Sequence, residues 1–173
     1  MIKAISYIFK RPDLSNQEFV NHYETTHAPL ARSILEFGYY ERNHILNNDS
    51  NKLPSCISIF KYNSEEQLKK TQKTLENYPP DLKEDELKFM DFDKNYYYFV
   101  EEDVINDKTY PFKVFSDKRL DQVAIELCSI NKVYDKKTRI YEYGCEIDLS
   151  VNFNDSEIFF CRNFTKMSSQ VLF

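Results

Sequence analysis

Residues 9–31 read FKRPDLSNQEFVNHYETTHAPLA. Arg11, Pro12 and Asp13 form a turn. Ser15 is a favoured N-cap, and Glu18 stands three residues later, so the pair makes a capping box and a helix starts there. Phe19, Val20, Tyr23, His27, Leu30, Ala31 and Ile34 then recur at three and four residues, an apolar stripe along one helical face. Pro29 falls inside that stripe. It has no N–H to give the carbonyl of Thr25, so the helix is expected to kink or break near Thr26–Ala28. Gly38 fits just past the helix end.

Working outward, Ile2–Phe9 is apolar and rich in Ile, Tyr and Phe, a buried strand. Tyr39–Leu46 and Pro54–Tyr62 read as two further strands. Ser64 with Glu65 and Glu66 opens a second long helix, which Tyr78, Pro79 and Pro80 end. Leu82–Phe92 holds a short helix, and Asn95–Val100 is strongly β-prone. The order β-α-β-β-α-β implies an α+β fold of the ferredoxin-like kind, an antiparallel four-stranded sheet with both helices on one face. Tyr7, Phe9, Tyr40, Phe60 and the Tyr96–Phe99 run are too aromatic for a solvated sheet face. Two such sheets pairing into a dimeric α+β barrel would bury them, so a homodimer is expected.

This domain takes up residues 1–105. Residues 106–173 read as a C-terminal α/β extension of unassigned role, with a helix at Lys118–Cys128 and strands at Arg139–Val151 and Ser156–Phe164. Gly144 marks a bulge in the first of these strands. No repeat of the first half is visible in it.

Composition excludes several functions. The chain has 173 residues and only two glycines, Gly38 and Gly144. Phosphate-cradling loops need clustered glycines, so P-loop and dinucleotide-binding turns are out. The net charge is −5, and neither part of the chain is basic, which argues against nucleic acid as a partner. Cys56, Cys128, Cys145 and Cys161 form no CxxC pair, so no structural zinc is expected. No apolar run reaches the roughly 18 residues of a membrane span. Nothing at the N-terminus resembles a signal peptide, and a cytoplasmic location with reduced thiols is expected.

The stretch from Phe9 to Phe19, followed by Tyr23 and by His27, Ala28, Pro29, Leu30 and Ala31, resembles the opening of the EthD-like family of dimeric α+β barrel proteins. Tyr40–Leu46, with its adjacent Asn43 and His44, resembles the family's second-strand motif, and Phe89–Phe92 with Phe99–Glu102 its closing segment. The resemblance covers about residues 1–105. It implies a small-molecule pocket between sheet and helices, in a superfamily that includes cofactor-free cyclases and decarboxylases, quinone-forming monooxygenases and haem-degrading enzymes. The fold narrows function only to chemistry on small, apolar and often aromatic ligands.

His27 and His44 are the candidate catalytic residues. His27 lies on the apolar stripe, two residues before Pro29, and points toward the helix–sheet space. It fits either a general acid/base, since imidazole titrates near neutrality, or a structural histidine that satisfies the carbonyl freed by Pro29. Alternation puts His44 on one strand face with Tyr40, Arg42 and Leu46, and Asn43 on the other with Tyr39, Glu41 and Ile45. Both cannot enter one pocket unless the strand bulges, and His44 is the better pocket candidate. Tyr7, Tyr23 and Tyr40, with Asn43, are the candidate substrate-binding residues, because a pocket phenol can donate to a carbonyl or enolate. Tyr97 is a further candidate phenol. His22 falls on the polar side of the helix, and its five-residue spacing from His27 does not suit a metal pair. No metal or cofactor is implied. Two functions fit: a cofactor-independent enzyme working by His-mediated proton transfer (cyclase, decarboxylase or isomerase type), or a non-catalytic dimeric protein holding an apolar ligand. Haem handling is a third.

Overall fold

The structure is a computed structural model and describes residues 1–47, 51–121, 124–134, 136–149 and 158–164. The first half follows the expected element order. β1 (Ile2–Ile8) leads to α1 (Asn16–His22), a π-helical turn (Tyr23–His27) and α2 (Ala28–Ile34). β2 (Tyr39–Ile45), β3 (Cys56–Tyr62), α3 (Glu65–Glu76), α4 (Pro80–Phe89), a 3-10 turn (Phe92–Lys94) and β4 (Tyr96–Val104) follow. The second half adds β5 (Phe112–Ser116), β6 (Glu126–Val133), β7 (Arg139–Cys145) and β8 (Ile158–Phe164). The residues at 150, 151, 156 and 157, which were expected to belong to the last two strands, lie outside the described ones.

The strands close into a single antiparallel barrel in the order β1-β3-β2-β8-β5-β7-β6-β4. This corrects the expected ferredoxin-like α+β sheet, and with it the dimeric α+β barrel. β2 pairs with β8, Asn43 opposite Asn163, and β4 pairs with β6, Glu102 opposite Asn131. The sheet face that a second copy was expected to cover therefore lines the lumen of a barrel closed by the chain's own C-terminal strands, so the argument for a homodimer falls away. The two halves share one strand order: β4-β1-β3-β2 is followed by β8-β5-β7-β6 around the barrel. The expected helix at Lys118–Cys128 is also corrected. β6 begins at Glu126, and the described residues before it are not helical.

Only the first half carries a helix layer among the described residues. The outer face of the second half is an apolar cluster of Val114, Tyr143 and Phe160, against which Leu120, Ile125 and Leu149 from the connecting segments pack. No helix among the described residues is long and apolar enough to cross a membrane.

The lumen is graded along its axis. One end is aromatic, with Tyr7, Tyr98 and Phe159 in edge-on contact. The middle is aliphatic, built from Ile5, Ile57, Ile59, Val100 and Val133. The other end holds interlocked charges. Lys3 Nζ lies 2.6 Å from Glu102 and 2.9 Å from Glu142, Lys113 Nζ lies 2.5 Å from Glu142 and 2.8 Å from Glu41, and Lys61 closes on Glu102 at 2.7 Å. Three lysines match three glutamates. Burial would neutralise Lys113 and Glu142, but their opposite neighbours outweigh it, raising the lysine pKa and holding the carboxyl below the usual range.

Candidate active site

The helix layer is positioned by three local features of the sequence. The capping box fixes the start of α1: Ser15 N donates to Glu18 Oε2 at 2.8 Å, and Glu18 N donates to Ser15 Oγ at 3.2 Å. The interruption expected at Pro29 is taken up one turn earlier, where the Ala28 N–H reaches back to Tyr23 O in the π-helical turn. That wider turn buries Tyr23, Glu24 and His27 together against the sheet. Pro79 and Pro80 end the preceding segment and start α4, whose buried face is Leu82, Asp85, Glu86 and Phe89.

Between the helices and the sheet lies a cavity of about 380 Å³. Its floor includes the outward positions of β1, where Ala4 and Ser6 are small enough to leave space. Its walls are aromatic, including Tyr40 stacked on Phe60 at 4.7 Å. A few polar groups converge on it: Tyr23, His27, Thr71, Tyr78, Glu86 and Asn95. An apolar cavity with a small set of fixed polar groups is the usual form of a small-molecule site.

His27 is the group best placed for chemistry. Its ring is buried, and Nδ1 lies 2.9 Å from Asp85 Oδ2. The other oxygen, Asp85 Oδ1, meets His22 Nε2 at 2.7 Å. An acceptor on Nδ1 selects the tautomer in which that nitrogen carries the proton and leaves Nε2 as a base. Burial works to raise the Asp85 pKa, but the two imidazoles outweigh it and hold the carboxylate ionised. Glu86, the next residue on α4, is shifted the other way: burial pushes its pKa up, against the hydrogen bond it accepts from Tyr78.

Tyr23 and Tyr40 are both in the cavity wall. Tyr40 OH donates to Tyr23 Oη at 3.0 Å, and Tyr23 is linked to Ser58 Oγ at 2.8 Å. Burial pushes both phenols up, so both stay neutral. His44 shares their side of the sheet but does not line the cavity. Its Nε2 lies 2.7 Å from Glu24 Oε1, and Glu24 is also held by Arg42 at 2.6 Å. Burial opposes its charge, yet the Cys56 sulfur and the Glu24 carboxylate push the His44 pKa up to about 9. Its Nδ1 is buried with no hydrogen-bond partner among the described residues.

Asn43 and Tyr7 point to the other side of the sheet, into the lumen. Asn43 Nδ2 donates to Glu41 at 3.0 Å and to Ile57 O at 3.1 Å. Tyr7 stacks on Tyr96 at 4.8 Å. Tyr97 lines the helix–sheet cavity but is 62% exposed.

The sequence reading missed Asp85 and misplaced His22. Asp85 lies in an acidic run whose composition alone reads as a solvated face, yet its two bonds tie α4 to α1 and the π-helical turn. The signal was present in the spacing of Leu82, Asp85, Glu86 and Phe89, which puts both acids on the stripe that faces inward. Among the described residues, no three of His, Cys, Asp and Glu come together as a metal ion would need.

The model of the EthD domain family matches residues 11–93, which suggests a small-molecule-related function. No curated protein matches the chain. The matched segment holds α1 to α4, the π-helical turn, Tyr40 and the His27–Asp85 pair, while β5 to β8 fall outside it. Residues 11–93, the part that builds the helix layer of the cavity, match the EthD domain family.

Proposed function

We propose that the helix–sheet cavity binds a small aromatic or polyketide-like molecule and that His27 moves a proton at a carbon next to its carbonyl. The observation that carries this is the His27 Nδ1 contact with Asp85, which leaves Nε2 as the basic nitrogen of a cavity-lining ring. Asp85 acts as a positioning residue. The Tyr23 hydroxyl is the polar group of the cavity wall that stabilises the enolate formed when the proton leaves. Cyclisation and isomerisation reach that enolate by losing the proton to His27, and decarboxylation reaches it by losing CO2 and then takes a proton from the protonated His27, so one constellation serves any of them, with no cofactor required.

A second reading has a specific observation behind it. Asp85 also binds His22, so the bridge pins α4 to α1 whether or not any chemistry follows. In that case the cavity holds a ligand without turning it over.

The experiment is deuterium exchange at the α-carbons of 2-tetralone in D2O, followed by NMR, with binding read in parallel from line broadening. Exchange faster than buffer with the native chain, and lost in His27→Ala, supports the enzyme. Bound tetralone with no acceleration overturns it and leaves the binding protein, and equal acceleration by His27→Ala overturns the role given to His27.

A further inference from the structure

We propose that the aromatic end of the barrel lumen is a second binding site, one for a small organic ammonium ion. A cavity of about 320 Å³ opens there, on the opposite side of β1 from the helix–sheet cavity. Aromatic rings of Tyr7, Tyr96, Tyr98, Phe115 and Phe159 surround it, and Asp117 stands in its wall. Among the described residues that line it, none is basic.

Three observations select a cation. Ring faces carry negative charge density and attract ammonium groups, most strongly where water is partly excluded. The chain already uses one of these rings in that way, since Lys136 Nζ lies 4.3 Å from the centroid of Tyr98. Asp117 is exposed and has no salt bridge or side-chain hydrogen bond among the described residues, so its charge is available to a ligand. Finally, Tyr7 is only 6% exposed and lines the cavity, where its hydroxyl can exchange a hydrogen bond with a polar ligand atom. Burial and the neighbouring phenols raise the Tyr7 pKa, so the group is a neutral phenol that can accept as well as donate.

Choline fits these requirements: a trimethylammonium head for the rings and Asp117, and a hydroxyl for Tyr7. Its neutral carbon analogue, 3,3-dimethyl-1-butanol, has the same shape without the charge. Isothermal titration of the full chain with each, at fixed ionic strength, separates a cation site from a merely apolar one. Choline is expected to bind at least roughly tenfold more tightly than the alcohol, and Asp117→Asn and Tyr98→Leu are each expected to weaken it roughly tenfold. Equal affinity for both probes, no choline binding, or an Asp117→Asn variant that binds as the native chain does would overturn the proposal. Asp117 is exposed and has no partner to lose among the described residues, so that variant keeps the test valid if Tyr98→Leu does not fold.

Discussion

Asp85 and His27 lie 58 positions apart in sequence and 2.9 Å apart in the fold, and the contact joins α4 to the π-helical turn. The carboxylate can thus set the tautomer of the imidazole. Asp85→Asn keeps the shape and removes the charge. The expected outcome is a loss of tetralone exchange on the order of 10²-fold or more with tetralone still bound, read from rate against concentration.

Glu142 is the hub of the charged end of the lumen, touching Lys3, Lys113 and Ser129. Removing one partner of a buried ionic network leaves the others uncompensated, so Glu142→Gln is expected to cost about 3–5 kcal/mol in urea unfolding. The pH dependence has a definite sign. The folded carboxyl sits below the ordinary glutamate value of 4.5, so its stabilisation is full above that pH and is lost as the solution is acidified below it. Native and Glu142→Gln unfolding curves should converge on going to low pH.

His44 gives the opposite dependence. Its pKa rises from 6.5 to about 9 on folding. The associated stabilisation is complete below pH 6.5 and is lost as pH climbs through 9, an effect on the order of 3 kcal/mol. In His44→Gln the decline in unfolding free energy between these values should disappear. A decline of equal size in the variant would show that another group titrates there.

Gly144 sits on β7 opposite Lys113 and Glu126, and an added Cβ would lie 2.0 Å from the ring of Tyr110. Tyr110 is itself fixed by a 2.6 Å bond to Glu126. Gly144→Ala is therefore expected to cost about 1–3 kcal/mol through overpacking, measurable as a lower urea midpoint with unchanged slope. An unaltered midpoint would mean that the ring moves away freely.

The first half was legible because its signals are local. The Ser15–Glu18 capping box, the break at Pro29 and the stripe through Tyr23 and His27 each depend on residues a few positions apart, and all appear in the structure. Barrel closure was not legible, because it depends on pairing between strands about 120 residues apart, such as Asn43 with Asn163. Lys3, Glu41, Lys113 and Glu142 also hide the inward faces, since charges at core positions break the apolar alternation that marks a buried strand. The shared order of the two halves left no repeat in the sequence for the same reason: strand order is a property of pairing, and the described residues of the second half's connections hold no helix. The helix expected at Lys118–Cys128 followed apolar spacing that instead serves the outer cluster around Ile125. At the cavity, residue type points to His27, Tyr23 and Tyr40 but not to Asp85, because a carboxylate in a run with Asp81, Glu84, Glu86, Asp91 and Asp93 looks like surface until a partner is seen.

The helix layer covers one half of a barrel whose halves share a strand order. That asymmetry fixes the form of a binding curve. Among the described residues the closed barrel has one helix–sheet chamber and no twin of it, so a ligand of that chamber should saturate at one molecule per chain along a simple hyperbola, with a Hill coefficient of one.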